Sequence, residues 1–170
     1  MSFAKAKPGV EGARDYIGNS DGPAKGPRPG MDEFIKQIIR VSDGALFNNG
    51  SYGQRDMKGK PGSLSVHATG RAVDLSYRAS AQHPKANRKN ARTIINRILE
   101  HANEFGIQAV LDYFPVPHGA GWRCDRQAWE KYTVKTITGA PRGDWFHVEL
   151  DARMADNPEA VKAAFTKVFG

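Results

Sequence analysis

From Ala91 to Phe105 the residues Ala91, Ile94, Ile95, Ile98, Leu99, Ala102 and Phe105 recur every three or four positions. Gly106 follows, and then the segment Ile107–Phe114, rich in apolar and aromatic residues. The first spacing predicts an amphipathic helix with Pro84 in its first turn and Gly106 as its stop. The second segment predicts a strand, closed by Pro115 and Pro117. A chain that sets both periods side by side is neither all-helical nor all-β.

The rest of the pattern agrees. Met31, Phe34, Ile35, Ile38 and Ile39 form one stripe, which predicts a helix capped by Asp32 and ended by Ser42-Asp43-Gly44. Residues 44–64, rich in Gly, Asn and Ser, predict an irregular loop. Ala72–Tyr77 and Trp145–Leu150 read as strands, and Asp125–Tyr132 as a short helix. Asn157-Pro158-Glu159 opens a last helix with Val161, Ala164, Phe165 and Val168 inward. These elements follow no strict βαβ order. The expectation is an α+β domain with a small, largely antiparallel sheet flanked by helices.

Ten of the first 30 residues are Gly or Pro. Residues 1–30 therefore read as a tail, or as an arm laid on a domain that spans 31–170. The 170 residues hold 25 Lys and Arg against 18 Asp and Glu, a net charge of +7. That balance favours an anionic partner. No apolar run is long enough to span a membrane. The start, MSFAKAKPGV, lacks the apolar stretch of a secretory signal, so synthesis in the cytoplasm is expected. The single cysteine, Cys124, allows neither an internal disulfide nor a Cys-rich zinc site. It has no His neighbour in sequence and is not expected to be a nucleophile.

Two polar segments interrupt this frame: Ser65-Val66-His67-Ala68-Thr69-Gly70-Arg71-Ala72-Val73-Asp74 and Asp144-Trp145-Phe146-His147-Val148-Glu149. Two imidazoles and a carboxylate are a common ligand set for a catalytic zinc, leaving a fourth position for water. His67 precedes a glycine turn, Asp74 lies in the strand after it, and His147 lies in another strand. If the two strands are neighbours in one sheet, the three side chains can converge. Asp144, three residues before His147, can approach the site without being a ligand. Taken singly, each of these is an ordinary polar residue at a strand end. As a spaced set they predict one metal site.

These segments resemble the zinc peptidases that cut bacterial cell-wall peptides: D-alanyl-D-alanine carboxypeptidases, vancomycin-resistance D,D-dipeptidases and phage L-alanyl-D-glutamate endopeptidases. The family pattern is Ser-x-His-x-x-Gly-x-Ala-x-Asp, followed later by an acid, two residues and His. Ser65, His67, Gly70, Ala72 and Asp74 match its first part, and Asp144 and His147 its second. The resemblance implies one zinc held by His67, Asp74 and His147, with Asp144 as general base. It also implies a cation for the oxyanion or a substrate carboxylate, for which Arg55 and Arg71 are the candidates. Ser65 and Glu149 are expected to orient the ligands. Many members carry Glu where this chain has Asp144, which is shorter by one methylene, so the backbone must bring it closer.

The function expected is zinc-dependent hydrolysis of peptidoglycan stem peptides, as in a phage-type endolysin made in the host cytoplasm, cutting L-Ala–D-Glu and acting on the cell wall. D-Ala–D-Ala cleavage and a zinc-bearing binding module without turnover are the alternatives. Lys85, Arg88, Lys89, Arg92 and Arg97 read as a solvated helix face that can also meet anionic wall polymer or lipid. No nucleic-acid module is recognisable, so nucleic acid is not an expected partner. His83, His101 and His118 match no part of the pattern; His101 is expected on a solvent-exposed helix face, and His118 lies in a loop that can border the cleft. Trp122, Trp129 and Trp145 read as packing residues before groove residues.

Overall fold

The structure, a computed structural model, describes residues 3–170. In chain order it contains α1 (Pro29–Val41), β1 (Phe47–Gly50), β2 (Asp56–Met57), β3 (Lys60–Leu64), a single 3-10 turn (Val66–Thr69) and β4 (Ala72–Ser76). Then come α2 (Arg88–Glu100), β5 (Ile107–Asp112), β6 (Ala120–Arg123), β7 (Ala128–Lys131), β8 (Trp145–Leu150), α3 (Ala152–Asp156) and α4 (Pro158–Phe169). The fold is α+β. Six strands form one sheet in the order β1-β4-β8-β5-β6-β7, with every neighbouring pair antiparallel. β2 and β3 form a separate hairpin.

Alternation along the central strands separates two faces. Val73, Leu75, Val110, Phe146 and Val148 join Phe34, Ile38, Ile95, Ile98 and Phe165 in one apolar core. Asp74, Leu111, His147 and Glu149 therefore belong to the opposite face. Burial of both faces explains why β4, β5 and β8 are covered along nearly their whole length instead of alternating with solvent.

Several elements differ from their sequence expectation. α1 starts at Pro29, not beside Asp32: Pro29 pre-sets the helical φ, Arg28 is the N-cap, and Asp32 lies in the first turn. Gly30 is there because a Cβ would come within 1.8 Å of the Met154 carbonyl oxygen. α2 is shorter than its stripe. Asn87 caps it, accepting from the Asn90 amide, so Pro84 stays outside, and the helix ends at Glu100 while Ala102 and Phe105 reach the core from the turns that follow. Residues 44–64 are not one irregular loop. They hold β1 and the β2–β3 hairpin, formed by strand pairing where intrinsic β-propensity is low. Asp125–Tyr132 is not a helix. Gln127 has φ 49°, β7 turns back on β6, and Trp122 faces Trp129 across the pair.

The stretch from Phe3 to Arg28 runs along the domain. Ala4 and Tyr16 exchange two backbone hydrogen bonds, the Arg14 amide donates to the Cys124 carbonyl (2.9 Å), and the Ala24 amide to the Ala68 carbonyl (2.8 Å). Tyr16 is wholly buried, as is Arg71. The Arg71 guanidinium donates to both Asp21 carboxylate oxygens (2.9 Å each), to the Leu150 carbonyl (2.8 Å) and to the Gly18 carbonyl. These bonds offset the entropy of ordering a Gly- and Pro-rich stretch. Cys124 is buried beneath it, and burial pushes its thiol up to about 11. Among the described residues, no helix is long and apolar enough to cross a membrane.

Candidate metal centre

Asp74 and His147 are direct cross-strand partners in the β4–β8 pair. His67 comes to them from the 3-10 turn before β4. Ser65 caps that turn, its hydroxyl accepting from the His67 amide at 3.3 Å. Gly70 ends it at φ 74°, where any side chain would also press on Arg28. Ser65 thus acts on the backbone of His67 and not on its ring.

Three potential ligand atoms meet. His147 Nδ1 lies 3.0 Å from Asp74 Oδ1 and 3.2 Å from His67 Nε2, and His67 Nε2 lies 3.3 Å from Asp74 Oδ1. Ligands about 2.0 Å from a tetrahedral zinc stand about 3.3 Å apart. The triangle has the size of one face of such a tetrahedron.

The outer ring nitrogens are both held. His67 Nδ1 is 2.8 Å from the Ser51 carbonyl oxygen, which can only accept, so this nitrogen carries the proton. His147 Nε2 is 2.9 Å from Glu149 Oε1, a carboxylate that likewise accepts. Each assignment leaves a lone pair on the inner nitrogen. Two lone pairs and a carboxylate facing one point repel unless a cation, proton or metal, sits between them. This is how histidine ligands are usually anchored at metal sites.

The electrostatics agree. Burial opposes ionisation of Asp74, but a proton held between it and the imidazoles of His147 and His67 outweighs burial and keeps the carboxyl well below the usual range. Burial likewise disfavours the His147 imidazolium, but Asp74 and Glu149 on either side raise its pKa. Glu149 is fully buried, which costs it; the bonds from His147 and Tyr16 and the charge of Arg71 nevertheless keep its pKa low. Tyr16 Oη donates to Glu149 Oε2 at 2.9 Å.

The other expected residues are placed differently. The carboxylate of Asp144 is gripped by Arg78 across the end of the β4–β8 pair, one contact being 3.1 Å. It makes no hydrogen bond to the three ligands. Arg55 is exposed, on the stretch flanking the His67 turn, where its carbonyl accepts from the Ser65 amide at 3.0 Å. Arg71, the rival candidate, is unsuited to an oxyanion role: its Nε, Nη1 and Nη2 all donate to Asp21 and to main-chain carbonyls. Glu149 holds His147, as described. His101 is half-buried, 3.1 Å from Glu104, not freely solvent-exposed. His83 stacks on Phe47, and His118 stays in a partly covered loop. Arg88 is not on a solvated face. It turns inward to grip Asp112 at 3.0 and 2.6 Å and lies over the Phe114 ring.

Four contributors had little sequence signal. The Ser51 carbonyl has none, being main chain. Arg78 is one of many cations. Tyr113 stacks on Trp145 with centroids 4.3 Å apart, two strand positions along from the Leu111–His147 pair. Burial first, then the charge of Asp74, raises its phenol pKa. Tyr16 was legible only as an aromatic residue stranded in a Gly- and Pro-rich stretch.

Two neutral imidazoles and one carboxylate, on rigid strands and a capped turn, suit a borderline divalent cation such as zinc and leave room in its coordination for another ligand. Compared with protein families, with curated proteins and with solved structures, the chain matches none.

Proposed function

We propose that this chain is a zinc-dependent peptidase of bacterial peptidoglycan, hydrolysing an amide bond of the stem peptide, with L-Ala–D-Glu as the first candidate bond and D-Ala–D-Ala as the second. The observation that carries the reading is the His67, Asp74 and His147 triangle with both outer imidazole nitrogens anchored. The bond class comes from the resemblance of the two sequence segments to wall peptidases.

The chemistry such an ion supplies is Lewis acidity toward a carbonyl and a lowered pKa for water. The protein does the remainder. Asp144 accepts a proton from the attacking water and passes it to the leaving amine. It does so once Arg78 releases it, and a pair this exposed holds loosely: the Arg78 side chain is 66% exposed. Arg55, exposed on the stretch flanking the His67 turn, is the candidate for a substrate carboxylate, a role that comes from the resemblance. The half-buried Tyr113–Trp145 stack, two strand positions from His147, is the aromatic surface proposed for the peptide.

A second reading, a zinc-bearing binding module, draws on the Arg78–Asp144 pair, which occupies the acid that turnover needs. Mass spectrometry of purified peptidoglycan treated with the zinc-loaded protein separates these readings. New N-terminal D-Glu supports the endopeptidase, and free D-Ala the carboxypeptidase. Zinc bound with no product leaves the binding module standing and ends the peptidase reading.

A further inference from the structure

We propose that Tyr16 is a positioning residue for the metal centre, so that the stretch before α1 is part of the site and not an accessory to it. The inference rests on the metal reading above and extends it to a residue some 50 positions before the first ligand.

A hydrogen-bonded chain carries it. Tyr16 Oη donates to Glu149 Oε2 at 2.9 Å, and Glu149 Oε1 accepts from His147 Nε2 at 2.9 Å. Both Tyr16 and Glu149 have no exposed surface. With no water to replace a lost donor, each carboxylate oxygen depends on its partner. Glu149 in turn fixes the ring of His147 and the tautomer that points Nδ1 at Asp74 and His67.

Tyr16 is itself clamped. The Ile17 amide donates to Gln108 Oε1 at 2.8 Å, and Gln108 Nε2 donates to the Asp15 carbonyl at 3.3 Å. The Asp15 carboxylate accepts from the Ala6 amide at 2.9 Å. The Arg123 guanidinium lies 4.9 Å from the centre of the Tyr16 ring. These contacts hold the backbone on both sides of Tyr16 and a cation over its ring, with the phenol oxygen against Glu149. Arg71 ties the same stretch down through Asp21 and adds its charge near Glu149.

The test is zinc affinity, measured by competition with a chromophoric chelator, for the full chain and for Tyr16→Phe, Glu149→Gln and the double variant. Tyr16→Phe keeps the ring and removes the donor. It is expected to bind zinc about tenfold more weakly, the lower end of the effect of losing a partner that orients a ligand. If Tyr16 acts through Glu149, adding Tyr16→Phe to Glu149→Gln changes affinity little further. Effects that multiply in the double variant overturn the proposal, as does a Tyr16→Phe affinity equal to the parent's. A purely packing role moves thermal stability and leaves affinity unchanged. If Tyr16→Phe fails to fold, nitrogen NMR of His147 in the zinc-loaded parent decides: zinc on Nδ1 with the proton on Nε2 supports the relay, and zinc on Nε2 overturns it. A parent chain that binds no zinc removes the metal reading itself, an outcome distinct from unequal or equal binding by the variants.

Discussion

Asp74 and His147 stand opposite each other in adjacent antiparallel strands, and their register sets Asp74 Oδ1 3.0 Å from His147 Nδ1. Slipping that register by one residue would turn one of the two onto the core face. The pair is thus built by the sheet, and only His67 is contributed by a turn. Such a site should be largely formed before any metal arrives.

One zinc per chain is expected, removable by chelation and restored by addition. His147→Ala and His67→Ala should each lose most of the bound metal, measured by elemental analysis after gel filtration. Full occupancy in either variant would remove that histidine from the ligand set.

Asp144→Asn should keep its zinc while peptidoglycan turnover falls by about two to four orders of magnitude, the range for loss of a general base. Arg78→Ala should also keep zinc and should not slow turnover, because Arg78 only restrains the carboxylate. An Asp144→Asn protein as active as the parent would transfer the base role elsewhere; a large loss in Arg78→Ala would make the ion pair part of the active arrangement.

Zinc binding should release protons and strengthen as pH rises. The raised pKa of His147 means that the metal-free site holds a proton at neutral pH, which the ion must displace. Lowering pH makes that proton harder to remove, so affinity falls. Calorimetry in buffers of different ionisation enthalpy measures the release, and no buffer dependence would contradict this assignment of charge.

Acid should loosen the stretch before α1. Burial opposes ionisation of Asp21, yet Arg71 and Arg28 hold its pKa below 3.8. A depressed carboxyl contributes stability that is present above pH 3.8 and is lost as pH falls through the lower folded value. Asp21→Asn should therefore have a lower melting temperature than the parent at neutral pH and a shallower decline below about pH 4. Arg71→Met should cost about 1–3 kcal/mol at neutral pH, because it leaves the Leu150 and Gly18 carbonyls without a donor and Asp21 with Arg28 alone. A chemical denaturation curve showing under about 1 kcal/mol would refute the anchoring role.

Gly30→Ala should destabilise the fold by about 3 kcal/mol or more, because the new methyl meets main chain that cannot rotate away. The Met154 carbonyl oxygen is 1.8 Å from the Cβ position and the Ala155 carbonyl 2.7 Å. A thermal melt unchanged from the parent would show that α1 and α3 can separate at little cost.

Local chemistry in the sequence was enough for the α+β class, for β4, β5 and β8, and for the grouping of His67, Asp74 and His147. Helical spacing and β-rich segments are properties of neighbouring residues, and side-chain type limits which groups can share a cation. What lay beyond it depended on partners far along the chain. β1 and β7 exist because β4 and β6 offer hydrogen bonds to them, which composition does not record. Arg71 looked like a free cation beside the motif; Asp21, 50 residues earlier, and two main-chain carbonyls consume it. Tyr16 and Ser51 entered the site, and Arg78 took hold of Asp144, only when the chain closed on itself. Ring tautomers, burial and ion pairing are set by which groups meet in space, and that meeting is decided by the packed sheet rather than by any short run of residues.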